Sequence, residues 1–151
     1  MGTESRGCVL HVEDDAAVRN AIALLLRSDG YKCLSAASGA SALELLAQGA
    51  PRPDVLIVDF HLDEDMNGAE AAEEINRALG CALPTIVLTA DPANAEMPWT
   101  TQAPVWLARK PMAPGALLAA MPALVQLSRA LRAVMSANPA KPVPLTTARN
   151  P

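Results

Sequence analysis

Within residues 54–60, DVLIVDF, Val55 to Val58 are apolar on alternate and intervening positions alike, and the run meets a carboxylate at Asp59. A strand with two apolar faces must be covered on both, which places it inside a parallel sheet between two layers of helix. The rest of the chain supplies those layers. CVLHV (8–12), YKCLSA (31–36), PTIVLTA (84–90) and PVWLARK (104–110) read as further strands. Between them lie amphipathic stretches. In DAAVRNAIALLLRSDG (15–30), Val18, Ile22, Leu25 and Leu26 share one helical face, Arg19 and Asn20 lie off it, and Gly30 supplies the stop. SGASALELLAQG (38–49) reads as a second helix, with Ser38 as its cap and Gly49 after its end. GAEAAEEINRALG (68–80) reads as a third. The last helix spans 113–137, where Pro114 suits the first turn and Pro122 predicts a kink or a split.

Five alternations of strand and helix predict an α/β fold, a doubly wound five-stranded parallel sheet with helices on both faces. One segment breaks the rhythm. DPANAEMPWTTQA (91–103) stands where a fourth helix is due, but it carries Pro92, Pro98 and the β-branched Thr100 and Thr101. It predicts a short helix or an irregular loop. Residues 1–6 read as a flexible N-terminus, 7–137 as one domain, and the proline-rich 138–151 as a disordered tail.

Composition narrows the function. Net charge is −4, which argues against nucleic-acid binding through bulk charge. Cys8, Cys33 and Cys81 are odd in number and widely spaced, as expected of reduced thiols in a cytoplasmic protein. The N-terminus has no apolar signal core, and the short, interrupted apolar runs predict no membrane span.

In doubly wound sheets, ligands bind at the carboxyl ends of the strands. Here those ends present Glu13, Asp14 and Asp15, then Asp59, then Thr89, then Lys110 followed by Pro111. Clustered carboxylates repel one another unless a cation joins them. An all-oxygen set suits Mg²⁺, which keeps few protein carboxylates and adds waters and phosphate oxygens. Carboxylates also act as nucleophiles that form aspartyl-phosphates. The residues therefore read as a Mg²⁺-assisted phosphoryl acceptor with Asp59 as the nucleophile.

HVEDDAAVR, VLIVDFHL, IVLTAD and ARKP, in this order and at these spacings, resemble the receiver domain of two-component response regulators. The resemblance covers residues 7 to about 135. It implies a flavodoxin-like strand order 2-1-3-4-5. It also implies that Glu13, Asp14 and Asp59 hold Mg²⁺ with the backbone carbonyl of His61. Thr89 matches the switch hydroxyl, Lys110 the lysine that pairs with the phosphoryl group, and Lys110–Pro111 a cis bond. The implied partner is a histidine kinase or histidine phosphotransfer protein, in a phosphorelay whose output is a protein contact. The implied protein is a cytoplasmic phosphoprotein switch rather than a turnover enzyme, a monomer or weak homodimer without nucleic-acid or membrane contact.

The sequence departs from that pattern. Leu107 stands three residues before the lysine, where the family places an aromatic switch partner. The loop DEDM (63–66) replaces the usual proline with acids, a feature similar to receivers fused to or serving hybrid histidine kinases. His61, Ala90, Asp91, Leu107 and Pro111 form a set that tunes the switch. Trp99 and Trp106 are a candidate partner surface, with Trp106 expected to pack at the edge of the fifth strand.

Each residue also has a plainer reading. Asp15 caps the first helix, residues 63–65 form a solvated acidic loop, and His11 is a core histidine. A pseudo-receiver, an interaction module independent of phosphorylation, is the alternative that Leu107 favours and the full acid–Thr–Lys set opposes. A haloacid-dehalogenase-type hydrolase requires a second acid at position 61, which is His. A dinucleotide site requires a glycine-rich first turn, absent from VEDDAAV.

Overall fold

The computed structural model describes residues 5–62, 66–94 and 104–137. Its elements run β1 (Cys8–Val12), α1 (Ala16–Ser28), β2 (Lys32–Ala36), α2 (Gly39–Ala47), β3 (Val55–Asp59), α3 (Gly68–Leu79), β4 (Thr85–Thr89), a 3₁₀ turn (Pro92–Asn94), β5 (Val105–Arg109) and α4 (Pro114–Ala137). All strands are parallel, in the order β2-β1-β3-β4-β5. β1, β3 and β4 are buried along their whole length, as their two-sided apolar patterns require.

Two cores lie on opposite faces of this sheet. Ala23 and Leu26 of α1 and Leu117, Met121, Leu124 and Val125 of α4 meet Val9, Ile57 and Ile86 on one side. Ala42 of α2 and Ala69, Ala72 and Ile75 of α3 meet Leu10, Val12, Leu56 and Val58 on the other.

Local chemistry sets the helix ends. Asp15 caps α1 by accepting from the Ala17 and Val18 amides, and Ser38 caps α2 through the Ser41 amide. Asn67 and Glu70 form a reciprocal capping box at the start of α3. Gly80 ends α3 at φ 70°, a conformation that favours glycine.

One sequence expectation needs correction. Pro122 does not split the last helix, because α4 continues through it to Ala137. Pro122 faces solvent, where the carbonyl one turn back can bond to water. The same helix meets a length-and-composition test for a membrane span, which one helix alone does not establish. Residues Pro114–Ser136, with mean hydropathy 1.3, are long and apolar enough to cross a bilayer. A helix that lines a soluble core passes the same test, and Leu117, Met121, Leu124 and Val125 are buried against the sheet. Of the segment due to hold a fourth helix, the described part is only the 3₁₀ turn at Pro92–Asn94; the remainder, with Trp99, lies outside the described residues. Residues 1–4, 63–65 and 138–151 lie outside them too, and with them the acidic loop and the tail.

Candidate functional site

The carboxyl ends of β1, β3, β4 and β5 gather Glu13, Asp14, Asp59, Thr89 and Lys110 on one rim of the sheet. One carboxylate oxygen from each of Glu13, Asp14 and Asp59 lies within 4.8 Å of the others. Asp59, the last residue of β3, is almost wholly buried. Its Oδ2 accepts from Lys110 Nζ at 2.7 Å, and its Oδ1 accepts from the His61 amide at 3.1 Å.

Glu13 is fully buried at the mouth of the central strands. Its Oε2 accepts from the Asp15 amide at 3.1 Å. Its Oε1 lies 3.4 Å from Lys110 Nζ, near enough for charge attraction, yet makes no hydrogen bond. Burial pushes the Glu13 carboxyl above its ordinary pKa; the Asp15 amide opposes the rise and the Asp59 charge adds to it. At Lys110, burial works against the charge, but the hydrogen bond and charge of Asp59, followed by Glu13, carry its pKa upward. An orphaned buried carboxylate oxygen beside two further carboxylates fits a hard divalent cation.

Thr89 ends β4 fully buried, one residue past Leu88, which pairs with Asp59 across the sheet. Its Oγ1 accepts from the Asp91 amide at 3.2 Å. Ala90 is exposed, and its carbonyl accepts from Arg109 Nη1 at 3.1 Å. The Lys110–Pro111 bond is cis. His61 is exposed beside the site, its ring edge-on to Phe60 at 5.0 Å. Asp15 serves as helix cap rather than as a member of the carboxylate cluster.

Trp106 is not packed as expected but is 45% exposed on β5, an edge strand that is half-buried to exposed along its length. Leu107 is exposed on the same strand, so no aromatic ring stands at that position. His11 is wholly buried on β1 with neither ring nitrogen hydrogen-bonded, and burial, then the Lys110 and Arg19 charges, lower its pKa to about 4.

Sequence reasoning missed three features. Gly68 packs against the loop after β3 so closely that a Cβ there would run into the Asp59 carbonyl and Phe60. An apolar cleft of about 100 Å³ opens beside Lys110, lined by Val18, Ile22, Ile57, Leu88 and Met112. Arg19 Nη1 donates to the Glu13 carbonyl at 2.8 Å and the Asp14 carbonyl at 3.3 Å. The signal for Arg19 was available in the sequence: a cation in the first turn of a helix is out of place against the helix dipole.

A family model described as the response regulator receiver domain matches residues 9–121. Over 82 residues, 54% of this chain, the sequence is 39% identical to the transcriptional regulatory protein AfsQ1 of Streptomyces coelicolor, covering 34% of that protein. Over 88 residues, 58% of this chain, it is 36% identical to the response regulator MprA of Mycobacterium leprae, covering 37% of it. The chain thus spans about a third of the length of these curated relatives. Among solved structures, the N-terminal domain of a response regulator/sensory box/GGDEF three-domain protein from Carboxydothermus hydrogenoformans superposes with a TM-score of 0.69 at 29% identity, over 82% of this chain and 97% of that one. The receiver domain of the hybrid histidine kinase CckA gives a TM-score of 0.65 at 28% identity, over 80% of this chain and 100% of that one.

Proposed function

This chain belongs to the response regulator receiver domain family, and on that premise we propose that it is a phosphorylatable signalling switch whose phosphoacceptor is Asp59. The observation that carries the reading is the buried Asp59, paired with Lys110 at 2.7 Å and set against the Glu13 and Asp14 carboxylates. The donor is phosphohistidine on a histidine kinase or phosphotransfer protein. An Asp59 carboxylate oxygen bonds to phosphorus as the P–N bond to the donor imidazole breaks; the imidazole keeps the electron pair and takes up a proton.

Mg²⁺, when bound, would supply charge neutralisation to the phosphoryl oxygens. Glu13, Asp14 and Asp59, with the His61 carbonyl, would hold it. Lys110 stays protonated and pairs with a phosphoryl oxygen, and the Thr89 hydroxyl turns toward another. The new charge then remodels the surface around residues 90–112, including Trp106 and Leu107.

The domain comprises residues 7–137 and acts on itself, so it is a switch rather than a turnover enzyme. Output is a protein contact, with Trp99 and Trp106 on the partner surface. We place the protein in the cytoplasm with its donor and assign nucleic-acid contact to none of these residues. The acidic DEDM sequence (63–66) resembles receivers that serve hybrid kinases, and the receiver of the hybrid histidine kinase CckA is among the structures this chain is similar to.

Intact mass after incubation with acetyl phosphate and Mg²⁺ tests the reading, beside Asp59→Asn and a metal-free control. One phosphoryl increment that needs both Asp59 and Mg²⁺ is expected. No increment together with no Mg²⁺ binding would leave the pseudo-receiver, which the exposed Leu107 favours.

A further inference from the structure

Arg19 breaks a local rule. It is the fourth residue of α1, and its amide makes the helix's first intrahelical bond, to the Asp15 carbonyl at 2.9 Å. The positive end of the helix dipole disfavours a cation there, and the acid that answers the dipole is the Asp15 cap, not a residue within the first turn. The same cation sits beside a carboxylate cluster that fits a divalent metal, where a second positive charge repels the metal. Both effects oppose an arginine at this position.

The side chain itself shows what offsets them. Instead of reaching into solvent, it folds back and is half-buried, with Nη1 bridging the backbone carbonyls of Glu13 and Asp14 at 2.8 and 3.3 Å. Those two peptides connect the end of β1 to the α1 cap; the Glu13 amide still donates to the Ala36 carbonyl at 2.9 Å, and beyond it the stretch leaves the sheet. Their orientation sets where both carboxylates point. The Asp15 amide completes the turn by donating to Glu13 Oε2 at 3.1 Å. This leaves Oε1 without a hydrogen bond, 3.4 Å from Lys110 Nζ.

We propose that Arg19 is a positioning residue that pins the Glu13–Asp14 backbone so that the two carboxylates converge on the divalent cation. This rests on the receiver reading given above. It acts through the two acids and touches neither metal nor phosphate. Outer groups that orient metal ligands typically change metal affinity by about 10–100-fold when removed.

The test is titration of the full chain with Mg²⁺ alone by calorimetry, comparing wild type, Arg19→Gln and Arg19→Lys, with amide exchange followed in the metal-free proteins. Positioning predicts that Arg19→Gln binds Mg²⁺ about 10–100-fold more weakly although a repelling charge has gone. Arg19→Lys keeps the charge, loses the planar guanidinium that bridges both carbonyls, and is expected to bind at least as weakly. The Asp15 amide should exchange faster in Arg19→Gln while β3 amides keep their protection.

Tighter Mg²⁺ binding by Arg19→Gln would mean that charge alone matters and would overturn the proposal. So would unchanged affinity, or a uniform loss of protection that includes β3. If wild type binds no Mg²⁺, the receiver reading fails, and the exchange of the Asp15 amide still decides whether Arg19 holds this turn.

Discussion

Lys110 keeps its charge against a desolvation that favours losing it, because Asp59 accepts its hydrogen bond at 2.7 Å and Glu13 lies close by. Replacing it leaves clustered carboxylates without that ammonium and the transferring phosphoryl group without a partner. Lys110→Met is therefore expected to slow phosphorylation of Asp59 by acetyl phosphate about 100-fold, read as the time course of intact mass. His11 poses the opposite case. It is buried and neutral, and no hydrogen bond satisfies its ring. Its folded pKa of about 4 lies below the ordinary 6.5, so the unfolded chain binds more protons between those values. The stability this histidine contributes is full above pH 6.5 and drains away as pH falls through about 4. His11→Val should raise stability at neutral pH by about 1 kcal/mol, since it removes unsatisfied buried polar atoms. It should also flatten the loss between neutral pH and pH 4.5, measured by urea unfolding.

Among the elements, α3 is the one seated on the chemistry. Its capping box fixes where the helix begins, and Gly68, its first residue, meets the Asp59–Phe60 backbone with no room for a methyl group. The Gly68 amide donates to the Phe60 carbonyl at 2.8 Å, so helix and loop move together. Gly68→Ala must push them apart. It is expected to lower the melting temperature and weaken Mg²⁺ binding together. Gly115→Ala is the matching control, because a Cβ there meets nothing within 4 Å. It should stabilise α4 by about 0.5–1 kcal/mol and leave Mg²⁺ binding alone. α4 is tied down at its far end by Arg132, whose Nη2 meets Asp54 Oδ1 at 2.9 Å, while Asp54 Oδ2 accepts from the Cys8 amide at 2.9 Å. That tether and the buried row from Leu117 to Val125 explain how so apolar a helix belongs to the core.

At the scale of the whole molecule, the rim of the sheet holds like charges that folding has forced together. Burial raises the Glu13 pKa, so the folded state holds that proton above the ordinary carboxylate range. Stability from this group is present at low pH and is lost as pH rises through the raised value, which is the opposite sign to His11. A cation that binds the ionised carboxylates reverses the penalty. Mg²⁺ at 100 times its dissociation constant is expected to add about 2.7 kcal/mol to stability at neutral pH. The increment should shrink as pH falls toward the carboxylate range. Thermal melts with and without Mg²⁺ at several pH values check both signs.

Strand identity, helix caps and the two-sided burial of β3 were legible in the sequence because each depends on neighbours a few residues apart. Val55 to Val58 are apolar on both faces, and Asp15 and Ser38 precede their helices. The carboxylate–threonine–lysine set was legible as well, because strand ends of a doubly wound sheet converge on one rim. The split expected at Pro122 did not occur, since the proline lies on an exposed face of a helix whose other face is held by packing. Trp106 misled for a different reason: the burial of an edge strand is set by what packs on its faces, which its own alternation does not reveal. Local chemistry by itself thus determined which segments became strands and helices and which residues carried charge to the rim. Only the tertiary structure decided the Glu13 oxygen left without a hydrogen bond, the unpartnered His11, the contact at Gly68 and the reach of Arg19 back to two carbonyls. Each of these is set by distances between groups that the chain brings together only when the layers pack.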